Sequence, residues 1–211
     1  MSANSEPVTP DDLDHAVRVA LDALREVPAA AWDGAPASLD WTRWETVEHT
    51  CNALMLYAVQ LAPKKPPMDG NVPFARTSRR PEAPSTMIRA DTAAGPDGLL
   101  QVLESCGALL VALARVTPPD VRAYHVYGAS DPEGFAAMGV VEVLLHTHDL
   151  IEGLGIPWDP PADVCARALY RLFPDAPSDT PPWRTLLWAT GRADLPGRPR
   201  VTDWRWTGAP R

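Results

Sequence analysis

The sequence predicts an all-α protein: a four-helix bundle with one long crossover loop and a short helical or extended cap at its C-terminal end. Three observations carry that prediction. Four segments of the 211-residue chain repeat apolar residues at helical spacing. Capping residues, prolines and glycines mark where those segments begin and end. Between the second and third segments, residues 63–94 hold six prolines and no helical period, as a crossover connection in a bundle would.

Taken in order, residues 1–9 are polar and are expected to lack regular structure. The first helix starts at Pro10, with Thr9 as cap and Asp12 in the capping-box slot. Leu13, Ala16, Val17, Ala20, Leu21 and Leu24 carry its stripe to about Val27. A Pro/Ala/Gly linker with Trp32 leads to a second helix, capped by Asp40 or Thr42 and ending near Leu61, before Pro63. His49 lies near its middle, on a side where Glu45, Asn52 and Gln60 interleave with Ala53 and Leu56. The loop at 63–94 carries Arg76, Arg79 and Arg80; loops this long are often functional, so it is expected to reach the mouth of any pocket.

A third helix at 96–116 should bury Leu99, Val102, Leu103, Leu109, Leu110 and Leu113, and Pro118-Pro119 ends it. Residues 120–129, with His125, connect it to a fourth helix over 131–154. Ser130-Asp131-Pro132-Glu133 begins that helix in a pattern close to a capping box, and Gly153, Gly155 and Pro157 stop it. Beyond it the pattern weakens to helices near 161–173 and 182–190 and a candidate strand, Val201–Trp206. The chain thus divides into a bundle, 1–157, and an extension, 158–211, packed on it.

The fourth helix carries the chemistry. From Ala136 to Leu145 every residue except Glu142 is apolar or glycine, and a helix apolar all round is buried. An unpaired carboxylate there would cost several kcal/mol. At about 100° per residue, His146 lies roughly 40° from Glu142 and Asp149 roughly 20° to its other side, while His148 points about 240° away. Glu142, His146 and Asp149 therefore form one polar stripe on a core helix. A plain i,i+4 pair and a hydrogen-bonded core histidine at His49 both explain parts of this pattern. A divalent metal stands level with them, since one Glu and two His from facing helices suit zinc with an open position. A di-iron site does not fit: it needs Glu-x-x-His pairs and further Glu residues on the other helices, whereas Glu45/His49 and Glu142/His146 are spaced by four.

LDWTRWETVEHTCNALMLYAVQL, followed much later by GVVEVLLHTHDLIEGLG, resembles the DinB-like superfamily. Within it the resemblance is to the mycothiol-dependent maleylpyruvate isomerase N-terminal-domain family of actinobacteria, over about residues 11–157. That resemblance implies His49, Glu142 and His146 as the ligands of a divalent metal, usually zinc, with water at the open position. It implies Asp149 as the residue that orients a ligand from behind, and mycothiol as cosubstrate.

Composition narrows the alternatives. A net charge of −8 disfavours nucleic acid and anionic membrane as partners, because phosphate attraction needs clustered Lys and Arg. Cys51, Cys106 and Cys165 form no CxxC pair and fit a reducing, cytoplasmic setting; the first residues show no signal-peptide pattern. No GxSxG or phosphate-binding glycine loop is present. Cys51 lies about 200° round the helix from His49 and reads as a small buried hydrophobe, and the eight tryptophans as packing between extension and bundle, with a binding wall as the lesser alternative. The leading functional reading is a metal-dependent transferase or isomerase that uses a low-molecular-weight thiol on an electrophilic small molecule. A non-catalytic metal-binding regulatory module and a metal hydrolase are its rivals. Monomer and homodimer both stay open.

Overall fold

The computed structural model describes residues 6–211, and six helices organise them: α1 (Pro10–Arg25), α2 (Arg43–Leu61), α3 (Gly95–Val116), α4 (Pro132–Leu150), α5 (Ala162–Leu172) and α6 (Pro182–Ala189). Thr9 and Thr42 each open a complete capping box, with Asp12 and Glu45 reaching back to the cap nitrogens. Asp131 caps α4 by accepting from the Gly134 N–H at 2.7 Å. Glu133 is one position short of a capping box there. Instead it accepts from the Val8 N–H at 3.2 Å, and Val8 is buried. The expected irregular N-terminal stretch is thus anchored at its end; residues 1–5 of it lie outside the described residues.

α1 and α2 each pack against both α3 and α4, so α1 and α2 occupy opposite corners of the bundle. α4 touches the other three bundle helices and also α5, which is why its sequence is apolar on every side. Gly139 marks the point where all four helices meet closely: a Cβ there would meet Leu110 at 2.9 Å, Leu13 at 3.0 Å and Leu54 at 3.2 Å, one side chain from each of α3, α1 and α2. α3 is long and apolar enough to cross a membrane, but here Leu99, Leu103 and Leu110 fill the bundle core. Leu109, expected inside, is 47% exposed on a face that no later element covers.

The crossover is irregular, as expected, with one isolated bridge between Thr77 and Thr86 and a 3-10 turn at Thr92–Ala94. Val201–Trp206 is not a strand; among the described residues there are only isolated bridges. No neighbouring strand is available, and the backbone around it bonds elsewhere: the Thr207 N–H to the Leu172 carbonyl and the Gly208 N–H to that of Tyr127. α5 packs on α4 and α6 on α5. Buried Arg171 ties the chain end down by donating to Asp131 at 3.0 Å and to the Ala209 carbonyl at 3.0 Å. Trp206 belongs to the same apolar core as the bundle.

Candidate metal centre

Midway along the bundle, α2 presents His49 toward α4, which presents Glu142 and, one turn later, His146. Glu142 Oε2 lies 3.2 Å from His146 Nε2 and 3.9 Å from His49 Nε2, and one donor atom from each of the three falls within 4.8 Å of the others. The two imidazoles meet edge to face, centroids 5.0 Å apart. The other carboxylate oxygen of Glu142 accepts from the Tyr57 hydroxyl at 3.1 Å, so Oε2 alone faces the histidines.

Behind His146 stands Asp149, 96% buried, whose Oδ2 is 3.3 Å from His146 Nδ1. The approach is an ion-pair contact; Nδ1 has no aligned hydrogen-bond partner. Arg192, beyond α6, grips Asp149 with Nε to Oδ1 at 2.9 Å and Nη2 to Oδ2 at 2.7 Å. Arg192 thus fixes the carboxylate that faces His146.

The electrostatics separate the two histidines. Burial pulls His146 down, but its contacts with Asp149 and Glu142 outweigh that and push it up to about 9. Burial brings His49 down to about 4, with Glu142 opposing too weakly to prevent it. Burial raises the Glu142 carboxyl, yet His146, His49 and Tyr57 together hold it below the usual range. Asp149 likewise resists burial and falls to about 2 because His146 and Arg192 favour its charge. Without a metal the cluster is therefore an imidazolium between two carboxylates, with His49 neutral beside them at pH 7.

A cavity of about 290 Å³ opens on these groups. Trp41 stacks at a tilt on His49, centroids 5.0 Å apart, and Leu39, Leu145, Trp204 and Trp206 complete an apolar wall. The tryptophans of the extension do more than pack it against the bundle: two of them line the chamber that holds the triad.

The expected bystanders point away. His148 packs edge-on against Trp183 at 5.6 Å. Cys51 is fully buried, its thiol pushed well up by burial and by its contact with Cys106. The crossover does not line the cavity. Two of its arginines are committed to α2 instead: Arg79 pairs with buried Glu48 at 2.6 Å and Arg80 with Glu45 at 2.8 Å. Arg76 lies near enough to His49 to help keep it neutral. Tyr57 and Arg192 escaped the sequence reading, whereas the wall from Trp204 and Trp206 follows its lesser alternative for the tryptophans, a binding wall. An aromatic residue two turns beyond His49 was a visible hint for Tyr57 alone.

Fold and site define a helical bundle of the DinB-like kind with a His–Glu–His cluster between its second and fourth helices. The chain belongs to the mycothiol maleylpyruvate isomerase N-terminal domain family, whose model matches residues 13–151. Two solved structures share the fold: a mycothiol-dependent maleylpyruvate isomerase, at 18% identity and a TM-score of 0.58, and a histidine-to-alanine mutant of such an isomerase, at 17% and 0.55. Each match covers 95% of this chain and 100% of the other, so the likeness of fold runs past residue 157 into the extension. No curated protein matches.

Proposed function

We propose that this chain is a metal-dependent enzyme that uses a low-molecular-weight thiol, mycothiol, in a transferase or isomerase reaction on an electrophilic small molecule. The observation that carries the proposal is the convergence of His49, Glu142 and His146 within 4.8 Å. Two imidazoles and a carboxylate are a donor set of zinc. Bonds of about 2.1 Å in a tetrahedron place donors about 3.4 Å apart, and the 3.2 and 3.9 Å separations straddle that value. The fit is also energetic, since a cation would compensate a carboxylate in the most apolar part of α4.

The residues around the cluster divide the work. Tyr57 occupies one oxygen of Glu142 and leaves Oε2 for a single bond. Asp149, 3.3 Å from Nδ1 of His146, favours the proton on that nitrogen and leaves Nε2 free to ligate. Arg192 locks Asp149 in that position. Trp41, Trp204 and Trp206 give the chamber an apolar lining, which strengthens the interaction of charges inside it. A divalent cation held there supplies positive charge that lowers the pKa of a thiol, making a nucleophilic thiolate available at neutral pH. We place the reaction in the cytoplasm, where three free buried cysteines are at home. Residues 158–211 we read as an extension that completes the chamber of the 1–157 bundle.

Metal analysis of protein purified without chelator, followed by calorimetry of thiol binding with and without zinc, tests this reading. One zinc per chain and thiol binding only in its presence are expected. Zinc-loaded protein that ignores thiols would favour a hydrolase or a non-catalytic module, and failure to take up any divalent metal would overturn the reading altogether.

A further inference from the structure

α3 carries more apolar surface than the bundle covers. Less than half of its apolar stretch is buried, and Leu109 and Val116 are 47% and 74% exposed. Both belong to one stripe. Val102, Ser105, Leu109, Ala112 and Val116 follow one another at intervals of three, four, three and four residues, the spacing of the seam between two paired helices. Val102 is half-buried against the core, and the other four are exposed. α5 packs on α4 and α6 on α5, which leaves the stripe bare. Ser105 and Ala112 are small, so a second helix can come close between the larger side chains.

The charges beside the stripe narrow what fits it. Glu104 and Arg115 stand five residues before and six residues after Leu109. At about 100° per residue they lie about 20° apart round the helix, on the same flank of the stripe. The exposed acids of α1, Asp11, Asp14 and Asp22, each pair with an arginine. Glu104 is exposed as well, and among the described residues it has no ion-pair partner. Arg115 gives Nη2 to Asp11, which leaves the rest of its guanidinium able to donate. Laying a second α3 antiparallel on the first, Leu109 against Leu109, sets Val102 opposite Val116. It also brings Glu104 of each copy within one residue, about 1.5 Å, of the level of the other copy's Arg115. An antiparallel two-fold keeps like flanks together, so both pairs form at once, the reciprocity that an isologous interface demands. A parallel pair would put the two flanks on opposite sides and leave both charges alone.

We propose that the exposed stripe of α3 is the interface of a homodimer, in which a second copy of this chain packs α3 antiparallel about Leu109 under two reciprocal Glu104–Arg115 pairs. One helix face is smaller than the about 800 Å² per partner of a standard interface, so the dimer is weak, with a dissociation constant in the micromolar range. No residue of α3 lines the metal chamber, so pairing leaves the chamber open and zinc uptake serves as the control for folding.

Sedimentation equilibrium of the full chain between about 1 and 500 μM tests the inference. The 22.9 kDa monomer should give way to a species of twice that mass. Leu109→Glu sets two carboxylates against each other at the two-fold axis. It should raise the dissociation constant at least about 30-fold, the loss of an interface anchor, with zinc uptake unchanged. Glu104→Arg should weaken the dimer by up to about fivefold per pair, and adding Arg115→Glu to it should restore affinity. Under mild oxidation Leu109→Cys should cross-link to its own copy. Val116→Cys should not, because antiparallel packing holds those two positions about 21 Å apart along the axis. A chain that stays monomeric at about 500 μM, a dimer indifferent to Leu109→Glu, a charge swap that restores nothing, or cross-linking of Val116→Cys equal to that of Leu109→Cys would each overturn the proposal. Binding of a monomeric chain to phosphatidylcholine vesicles, abolished by Leu109→Glu, would overturn it in favour of a lipid surface.

Discussion

Zinc binding to the metal-free protein at neutral pH should release close to one proton, and that proton should come from His146. A ligand nitrogen must be unprotonated to bind metal. His49 is pushed down to about 4 and brings no proton at pH 7. His146 is held up at about 9 by Asp149 and Glu142 against its burial, so metal must displace its proton. The sign follows: a raised pKa favours the protonated form, and apparent affinity climbs as pH rises toward about 9. Between pH 6.5 and 8.5 the gain is about tenfold per unit, about 100-fold overall or about 2.7 kcal/mol. Titration calorimetry in buffers of different ionisation enthalpy counts the proton directly, and chelator competition measures the affinity. Asp149→Asn should reduce the proton count at pH 7, because it removes the leading contact that raises His146. Affinity that levels off above about pH 6.5, the ordinary histidine range, would refute the coupling of His146 to its two carboxylates.

Three other outcomes are expected. His146→Ala should abolish stoichiometric zinc in elemental analysis, whereas His148→Ala, whose ring faces Trp183, should retain it; equal loss in both would dismantle the assigned ligand set. Without metal, protonated His146 contributes stability that is fully present below its unfolded value near 6.5 and lost as pH rises through about 9, about 3 kcal/mol at most; the melting temperature of the metal-free protein should fall over that window, and a flat profile would contradict the linkage. Arg192→Met should cost about 1.5–3 kcal/mol in urea denaturation, since it removes the charged hydrogen bonds to buried Asp149 and leaves that carboxylate only the His146 imidazolium; a cost below about 1 kcal/mol, the level of an exposed pair, would show that water replaces the guanidinium.

The sequence by itself determined the helices, their caps and the polar stripe of α4. Those features depend on neighbours within one or two turns: Thr9 with Asp12, Thr42 with Glu45, Pro132 after Asp131, Glu142 with His146 and Asp149. The helical period makes such relations visible in a string of residues, and the cost of a buried charge singled out Glu142. Two local patterns misled. Val201–Trp206 alternates like a strand but has no partner strand among the described residues to complete a ladder, and Leu109 has helical spacing but faces solvent because no described element packs over that side of α3. Only the tertiary structure decided which group answers each buried charge. Glu48 meets Arg79 across 31 residues, Glu45 meets Arg80 across 35, Asp149 meets Arg192 across 43 and Glu142 meets Tyr57 across 85. Any of several arginines satisfies a buried carboxylate equally well on paper, and chain connectivity and packing select one. Which tryptophans form the chamber wall was undecided for the same reason. Trp204 and Trp206 reach the site only because Arg171 and the helices α5 and α6 carry the end of the chain back across α4.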